Sequence, residues 1–556
     1  MKKIIIGLLC AMLLLNAMVA IAEEETALGI VTTQYGDVSG VPGEIYSDVT
    51  IFKGIPYAAP PVGELRWQPP QDPESWEGVR ACDTYAAIAP QYADQGAGSE
   101  PYKTDFYFGE FPETSEDCLY LNITTPATTG EEKLPVYLWF HGGGQRHGYS
   151  YEPEFDAEEL AKKGVIVVTI GQRLGVFGYL ALPQLTEEQG TSGNYGNMDQ
   201  AKAYEWVVEN IAAFGGDPNN IVFGGQSGGT TKSMVLELFP DVHAQGMVLH
   251  SGLKWFDTFA SLESAQESGQ AYLEHIGLDP NASLEELRQV ETDVFLGADM
   301  DDYVANTPAS TICDGVYITY SSIAEAVAAG EYDGINILSG TTLGEATVKN
   351  VETEGMTAEE FYAVYREYLG DKFDQYDFET LVPVTDEDAE DTFRELSSLG
   401  LNVGLGATYS RAVMVNRVFN EVMSQSEGSG KYYSYLFARF TPIHPEEAGT
   451  DRDSELLWAW HSSDLWYFFH SLREGMPPIR PWEEGDYALA DLASSYLANF
   501  IRTGDPNGEG LPEWPAGDEN HGYMVLDVEP EGITECTELD ALMREIVIET
   551  YDLDLE

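Results

Sequence analysis

The chain has 556 residues, of which 43% are hydrophobic and 12% aromatic, a composition typical of a globular protein with a large core. Its 28 basic residues are outnumbered by 94 acidic residues, and the formal net charge is −66. This charge argues against nucleic acids and anionic membranes as partners, since binding to either requires lysine and arginine, and it predicts repulsion of anionic substrates. Solvation in saline or acidic surroundings is the simplest explanation for so acidic a surface. The five cysteines include no C-x-x-C pair, and no metal or cofactor is expected.

The first 22 residues have the pattern of a secretory signal peptide. Two lysines precede an apolar stretch at residues 4–15, and Ala20-Ile21-Ala22 has the form of a cleavage site. An uncleaved membrane anchor is the alternative, because the apolar stretch continues to Ala22 with only Asn16 interrupting it. The cleavage-site residues favour export. They predict a secreted protein with one domain at residues 23–556 and no stable membrane association.

Short apolar runs alternate with helical patterns along the rest of the chain. Buried strands are predicted at residues 136–140, 165–170, 221–223, 247–249, 335–338, 433–440 and 523–526. Helices are predicted at residues 199–214, from about Thr230, across the acidic region 353–426, and at 489–501. Buried strands separated by helices imply an α/β fold with a largely parallel sheet covered on both faces.

Two glycine-rich segments directly follow predicted strands. Gly225-Gln226-Ser227-Gly228-Gly229 lies between a strand and a helix. The pentapeptide alone fits an ordinary turn, but this context predicts a nucleophile elbow that exposes Ser227. The second segment, His141-Gly142-Gly143-Gly144, offers bare amides to a developing oxyanion. We therefore expect Ser227 to be a nucleophile and the amides of Gly143, Gly144 and Gly228 to be the oxyanion donors.

A nucleophilic serine needs an imidazole base and a carboxylate that orients the imidazole, and in a doubly wound hydrolase both follow the serine in the chain. His461 lies in a small-residue loop between aromatic runs and is the predicted base. His250 ends a strand soon after the elbow and precedes the acid candidates, so it is a pocket-lining candidate. Glu345, which follows the strand predicted at 335–338, is the predicted acid, with Asp464 and Asp314 as alternatives.

Taken together, these and other motifs resemble the type-B carboxylesterases, a family that includes cholinesterases, bacterial carboxylesterases and the non-catalytic neuroligins. The resemblance runs nearly end to end. It covers FKGIPYAAPPVGELRW at 52–67, EDCLYLN at 116–122, the HGGG turn, residues 193–229, the acid and histidine loops, and TGDPN to WP at 503–515. It implies an α/β-hydrolase fold with a large, mostly parallel central sheet, helices on both faces and helical insertions.

The resemblance also implies roles for single residues. Ser227, Glu345 and His461 take the positions of the catalytic triad, and Gly143, Gly144 and Gly228 those of the oxyanion hole. Two structural ion pairs are implied, Arg66 with Glu116 and Arg173 with Asp217. A disulfide between Cys82 and Cys118 stays open, because the upstream cysteine is offset from the family position.

The elbow departs from the family pattern, which often has glutamate before the serine and alanine after it. This chain has Gln226 and Gly228 there, and the neutral Gln226 weakens the case for a choline-like substrate. The predicted function is hydrolysis of neutral carboxylic esters with short-to-medium acyl or aryl groups, through an acyl-enzyme. A catalytically silent, neuroligin-like binding protein and a true lipase are the alternatives, and the oligomeric state stays open. Aromatic residues that could line the pocket, or equally pack in the core, are Trp460, Trp466, Tyr467 and Phe468.

Overall fold

The computed structural model describes residues 28–92, 101–345, 353, 355–401, 403, 412–426, 428–450, 452–517 and 521–555. The predicted signal peptide lies outside the described residues. Within these ranges no helix is both long and apolar enough to cross a membrane.

A large mixed sheet forms the centre of the molecule. The strands of the described residues are β1 Ile30–Thr33, β2 Gly36–Ser39, β3 Val41–Pro42, β4 Thr50–Pro56, β5 Val79–Ala81, β6 Tyr120–Thr125, β7 Leu134–Phe140, β8 Ile166–Ile170, β9 Gly216–Gln226, β10 Gly246–His250, β11 Ala260–Ser261, β12 Ile312–Cys313, β13 Asn336–Thr342, β14 Tyr432–Phe437, β15 Tyr523–Leu526 and β16 Glu531–Ile533. Eleven of these strands form the sheet, in the order β16-β15-β14-β13-β10-β9-β7-β8-β6-β4-β3. The strands from β15 to β8 in this order are parallel, and antiparallel strands close both edges.

Helices connect the strands and cover the sheet. They are α1 Glu158–Lys162, α2 Gly175–Tyr179, α3 Pro183–Gln189, α4 Tyr195–Asn210, α5 Gly228–Glu237, α6 Leu262–His275, α7 Leu284–Arg288, α8 Met300–Asn306, α9 Ile323–Ala328, α10 Ala358–Leu369, α11 Asp371–Gln375, α12 Phe378–Leu381, α13 Ala389–Leu399, α14 Val413–Ser424, α15 Ser454–Leu457, α16 Leu465–Phe468, α17 Glu484–Thr503 and α18 Glu538–Tyr551. The described part of the acidic region 353–426 is helical, as predicted, and comprises α10 to α14.

The two faces of the sheet bury two separate apolar clusters. Successive residues of β7 alternate between them: Leu138 belongs to one cluster, and Tyr137 and Trp139 belong to the other. This alternation follows from the period of two along a strand, and it requires both faces to be covered. Helices α4 and α5 pack in the first cluster and α17 in the second. The predicted α/β architecture is therefore confirmed.

Predicted strand positions are confirmed more closely than helix ends. Helix α4 begins at Tyr195, four residues before the predicted start, and the chain continues as a 3₁₀ helix at Ile211–Phe214. Helix α17 begins at Glu484, where Glu483 and Asp486 form a capping box. Apolar periodicity does not register the polar first turn of α17, because its role is to satisfy backbone N–H groups.

One of the two implied ion pairs is confirmed and the other is wrong. Arg66 binds Glu116 through two buried hydrogen bonds, Nε–Oε2 at 2.8 Å and Nη2–Oε1 at 2.5 Å. Arg173 binds Asp199 instead of Asp217, with Nε–Oδ2 at 2.9 Å and Nη2–Oδ1 at 2.6 Å. Asp217 accepts a hydrogen bond from the backbone N–H of Asn219 at 2.9 Å and shapes its own turn. Asp199 is the partner because α4 packs on the Arg173 loop and presents a buried carboxylate to the guanidinium.

The disulfide left open between Cys82 and Cys118 is not formed. Both cysteines are free thiols and both are buried. Burial raises the pKa of the Cys82 thiol to about 11 and that of Cys118 well above its ordinary value. Both side chains serve as small apolar groups of the core.

Candidate active site

Ser227 occupies a sharp turn between β9 and α5. Its backbone has φ 54° and ψ −116°, a conformation that a residue with a side chain rarely adopts. Its N–H donates to the carbonyl oxygen of His250 at 2.8 Å, which ties the turn to the neighbouring strand β10. A Cβ atom at Gly225 would overlap the carbonyl group of Gly229, so the turn can close this tightly only with glycine there. This is the geometry of a nucleophile elbow.

The glycine turn after β7 lies against the elbow. Gly143 and Gly144 have φ values of 75° and 63°, and Gly142, Gly143 and Gly144 line a cavity of about 220 Å³ together with Ser227 and His461. A Cβ atom at Gly228 would lie 2.6 Å from the nitrogen of Gly144 and closer still to its Cα and carbonyl oxygen. The amides of the two segments are therefore close neighbours beside the serine.

Glu345 and His461 approach the elbow from two other loops. Glu345 follows β13, and an isolated bridge between Gly344 and Trp460 holds its loop to the histidine loop. The Nδ1 atom of His461 lies 2.9 Å from each carboxylate oxygen of Glu345. A carboxylate at Nδ1 keeps the proton on that nitrogen, which leaves Nε2 as the acceptor. The Nε2 atom of Gln226 lies 3.1 Å from the His461 Nε2 atom, so the histidine ring points its acceptor toward the elbow.

The chain is similar to known proteins in both sequence and structure. The sequence profile of the carboxylesterase family matches residues 27–542. The chain is 31% identical to the para-nitrobenzyl esterase of Bacillus subtilis (strain 168), over 90% of this chain and 95% of that protein. It is 29% identical to liver carboxylesterase 1F of Rattus norvegicus, over 90% of this chain and 89% of that protein. A solved structure of a PNB esterase matches with a TM-score of 0.71 at 28% identity, covering 93% of this chain and 99% of that one.

The chain belongs to the carboxylesterase family. Membership confirms the resemblance found in the sequence, and the structural match confirms the α/β-hydrolase fold. The matched relatives are named esterases and carboxylesterases, and this chain is likewise a carboxylic ester hydrolase. The structure brings all six predicted site residues, Ser227, Glu345, His461, Gly143, Gly144 and Gly228, to one end of the parallel strands.

The other candidates for the acid and the base lie outside the cavity that Ser227 and His461 line. His250 is fully buried, with its Nδ1 atom 2.7 Å from the hydroxyl of Tyr435 and 3.4 Å from Asp464 Oδ2. Asp464 accepts from the same Tyr435 hydroxyl at 2.7 Å, so these three residues form an internal network. Asp314 accepts three backbone N–H groups of its own turn, from residues 316–318. His250 therefore does not line the cavity, contrary to the sequence interpretation.

The aromatic residues suggested for the pocket belong to the core. Trp460, Trp466, Tyr467 and Phe468 are all buried among other aromatic rings. The cavity is lined instead by Tyr102, Phe106, Tyr107, Phe155 and Leu465. The cluster of aromatic residues at 102–107 was the available signal, but its distance of more than 100 residues from Ser227 concealed its place in the site.

Lys232 is a further residue that sequence reasoning missed. It lies on α5, is fully buried, and donates from Nζ to the carbonyl oxygen of His141 at 2.9 Å. Burial lowers the pKa of this lysine to about 7. Because the C=O and N–H of a trans peptide point in opposite directions, holding this carbonyl also orients the amide that follows it. Lys232 therefore stabilises the conformation of the glycine turn through this carbonyl.

Proposed function

We propose that Ser227 attacks the carbonyl carbon of a carboxylic ester and forms an acyl-enzyme, with His461 as the base and Glu345 as the acid that orients it. The proton of the serine hydroxyl passes to His461 Nε2 and then to the leaving alcohol, and water reverses the sequence to release the acid. The amides of Gly143, Gly144 and Gly228 stabilise the oxyanion. The observation that carries this proposal is the His461–Glu345 contact at 2.9 Å on the wall of the cavity that Ser227 also lines.

The alternative of a catalytically silent binding protein is not favoured. A chain that had lost catalysis would have no need for the strained φ of 54° at Ser227, since strain of this kind costs about 1–3 kcal/mol and persists where function uses it. The same chain keeps the base and the glycine turn against the elbow, and the acid in contact with the base.

We also propose that the preferred esters have short-to-medium acyl or aryl groups. Cavities of about 220 Å³ and 340 Å³ flank Ser227, and neither matches the three long chains of a triglyceride. The aromatic lining of the smaller cavity suits an apolar acyl or aryl group. Gln226 beside the serine is neutral, and burial raises the pKa of Glu152 and Glu154, the two carboxyl groups in the lining of the smaller cavity, so charge for a choline headgroup is reduced there. The expectation that anionic esters are disfavoured rests on the negative net charge of the whole chain. The charged residues of the larger cavity beside Ser227 do not share this excess of negative charge.

One assay tests both the chemistry and the ester class. Wild type and Ser227→Ala are compared on p-nitrophenyl esters of graded acyl length, a choline ester and an emulsified triglyceride. We expect the highest kcat/KM on a short or medium p-nitrophenyl ester and a loss on the order of 10³-fold or more in the variant. Unchanged turnover in Ser227→Ala would contradict the mechanism. Fastest turnover on the emulsion or the choline ester would contradict the proposed ester class.

Export is part of the same proposal. The family match begins at residue 27, downstream of the cleavage site predicted after Ala22, and the central sheet takes its strands from residues 41 to 533, which supports the proposal of one domain at residues 23–556. Because its surface is acidic, we still predict that the protein binds neither nucleic acids nor anionic membranes. Amino-terminal sequencing of protein recovered from the culture medium is expected to begin at Glu23. An intact Met1 on membrane-bound protein would refute export with cleavage.

A further inference from the structure

The larger cavity beside Ser227, of about 340 Å³, has a mixed polar and apolar lining that includes two cationic residues, whereas the smaller one is lined by aromatic residues and by Glu152 and Glu154. It is bordered by Gly144, Ser227 and Gly228, so one side of a bound ester must enter it. Hydroxyl groups of Thr231, Thr258 and Ser310 contribute to its wall. The charged residues among its lining are Arg146, Lys254 and Asp257. This is two cations and one carboxylate, in a protein with 94 acidic and 28 basic residues.

Arg146 lies beside the glycine turn, and its charge has no partner among the residues that the structure describes. Its Nη1 atom lies 4.0 Å from the position that a Cβ atom on Gly144 would occupy. Its Nε atom is buried and has no hydrogen-bond partner, and the guanidinium forms no ion pair with any residue that the structure describes. By contrast, Arg66 and Arg173 each bind a buried carboxylate through two hydrogen bonds.

Lys254 adds to the positive charge of this cavity. Its ammonium group lies 3.8 Å from Asp257 Oδ2, at the outer limit of an ion pair, and its side chain is 34% exposed. The pair is therefore loose, and Arg146 remains uncompensated. A half-buried guanidinium presents a rigid fork of N–H donors that matches a carboxylate, and it stays charged at any physiological pH.

We propose that this cavity is a subsite for a carboxylate carried by the ester substrate, bound by Arg146 with help from Lys254. This inference rests on the proposed function and narrows it: among small esters, those with a carboxylate on the side that enters this cavity are hydrolysed in preference to their neutral counterparts. The net charge of −66 slows the approach of anions over long distances, whereas the guanidinium acts on the bound ester at contact distance.

Two pairs of esters test the proposal, because the carboxylate can be on either side of the scissile bond. For the alcohol side the pair is 4-carboxyphenyl butyrate and 4-carbamoylphenyl butyrate. For the acyl side it is mono-4-nitrophenyl adipate and 4-nitrophenyl 5-carbamoylpentanoate. In each pair the ratio of kcat/KM for the carboxylate over the amide is measured in wild type, Arg146→Gln and Arg146→Lys. We expect the ratio on one side to fall roughly tenfold or more in Arg146→Gln and to be partly retained in Arg146→Lys.

The matched control is Arg80→Gln, since Arg80 is an exposed arginine of β5 outside the lining of this cavity. It removes the same charge from the chain and should leave both ratios unchanged. The proposal is overturned if, for both ester pairs, the ratio of kcat/KM is the same in Arg146→Gln as in wild type. It is also overturned if the ratio falls equally in Arg80→Gln, because the effect would then come from long-range charge. In wild type, benzoate should inhibit hydrolysis of the neutral ester more strongly than benzamide does, and equal inhibition overturns the proposal without any variant. Failure of the proposed function is distinct, because the neutral esters would then not be hydrolysed at all.

Discussion

At the scale of single residues, the elbow explains why Gly228 replaces the alanine that is common after the nucleophile. A Cβ atom at this position would overlap the backbone of Gly144, one of the proposed oxyanion donors. In this structure the glycine turn and the elbow are packed so closely that only glycine fits between them.

We predict that Gly228→Ala lowers kcat on a short p-nitrophenyl ester by on the order of 10-fold to 10²-fold, because Gly144 must move away from the developing oxyanion. The protein should still fold, since the change is confined to the cavity wall. Gly277→Ala is the control for a lost glycine, as nothing lies near its added Cβ and its positive φ affects only stability. Full activity in Gly228→Ala would show that the close approach of Gly144 is not needed for catalysis.

At the scale of elements, helix α5 carries the elbow at its start and a buried carboxyl at its end. The Oε2 atom of Glu237 accepts the N–H of Ala244 at 2.9 Å. Burial, and then the nearby charge of Glu331, raise the pKa of Glu237 to about 8. The folded protein therefore keeps this proton between about pH 4.5 and 8, while the unfolded chain loses it. The contribution of Glu237 to stability is full at low pH and is lost as the pH rises toward 8.

Glu237→Gln should remove this pH dependence, because glutamine keeps the acceptor and has no proton to lose. We expect the difference in Tm, variant minus wild type, to be more positive at pH 8 than at pH 5. This change corresponds to roughly 1–3 kcal/mol in the free energy of unfolding. Calorimetry of both proteins at the two pH values measures it. The exposed Glu359→Gln should show no such trend, and a difference that is flat or falls with pH would contradict the assignment for Glu237.

Elements also show what could be predicted from the sequence and what could not. The strands, the elbow and the glycine turn depend on contiguous residues, and these predictions were confirmed. Asp199 as the partner of Arg173 depends on how α4 packs against a distant loop, which no local pattern records. The cavity aromatic residues and the unpaired charge of Arg146 likewise arise only when segments far apart in the chain meet. Glu345 and His461 were inferred from their order after the serine and from the loops that carry them, and the family resemblance implies the same two residues.

At the scale of the whole molecule, the net charge of −66 should oppose the compact state through self-repulsion. Salt shortens the range of this repulsion from about 30 Å at 0.01 M to a few ångströms near 1 M. Buried pairs such as Arg66–Glu116 are screened much less, so the net effect of salt is stabilising. We predict that Tm rises steadily as sodium chloride is raised from about 0.01 M to 1 M. Potassium chloride should act equally, and a Tm that falls with either salt would contradict this account.

The central claim is that Ser227 is the nucleophile of an ester hydrolase. The most direct test is mass spectrometry of the protein after inactivation by a fluorophosphonate, which phosphonylates an activated serine. We predict one adduct per chain on the peptide that contains Ser227, formed in step with the loss of activity on a p-nitrophenyl ester. The adduct should form far more slowly in His461→Ala, because the serine then lacks its base. An adduct on another residue, or complete inactivation with Ser227 unmodified, would contradict the account.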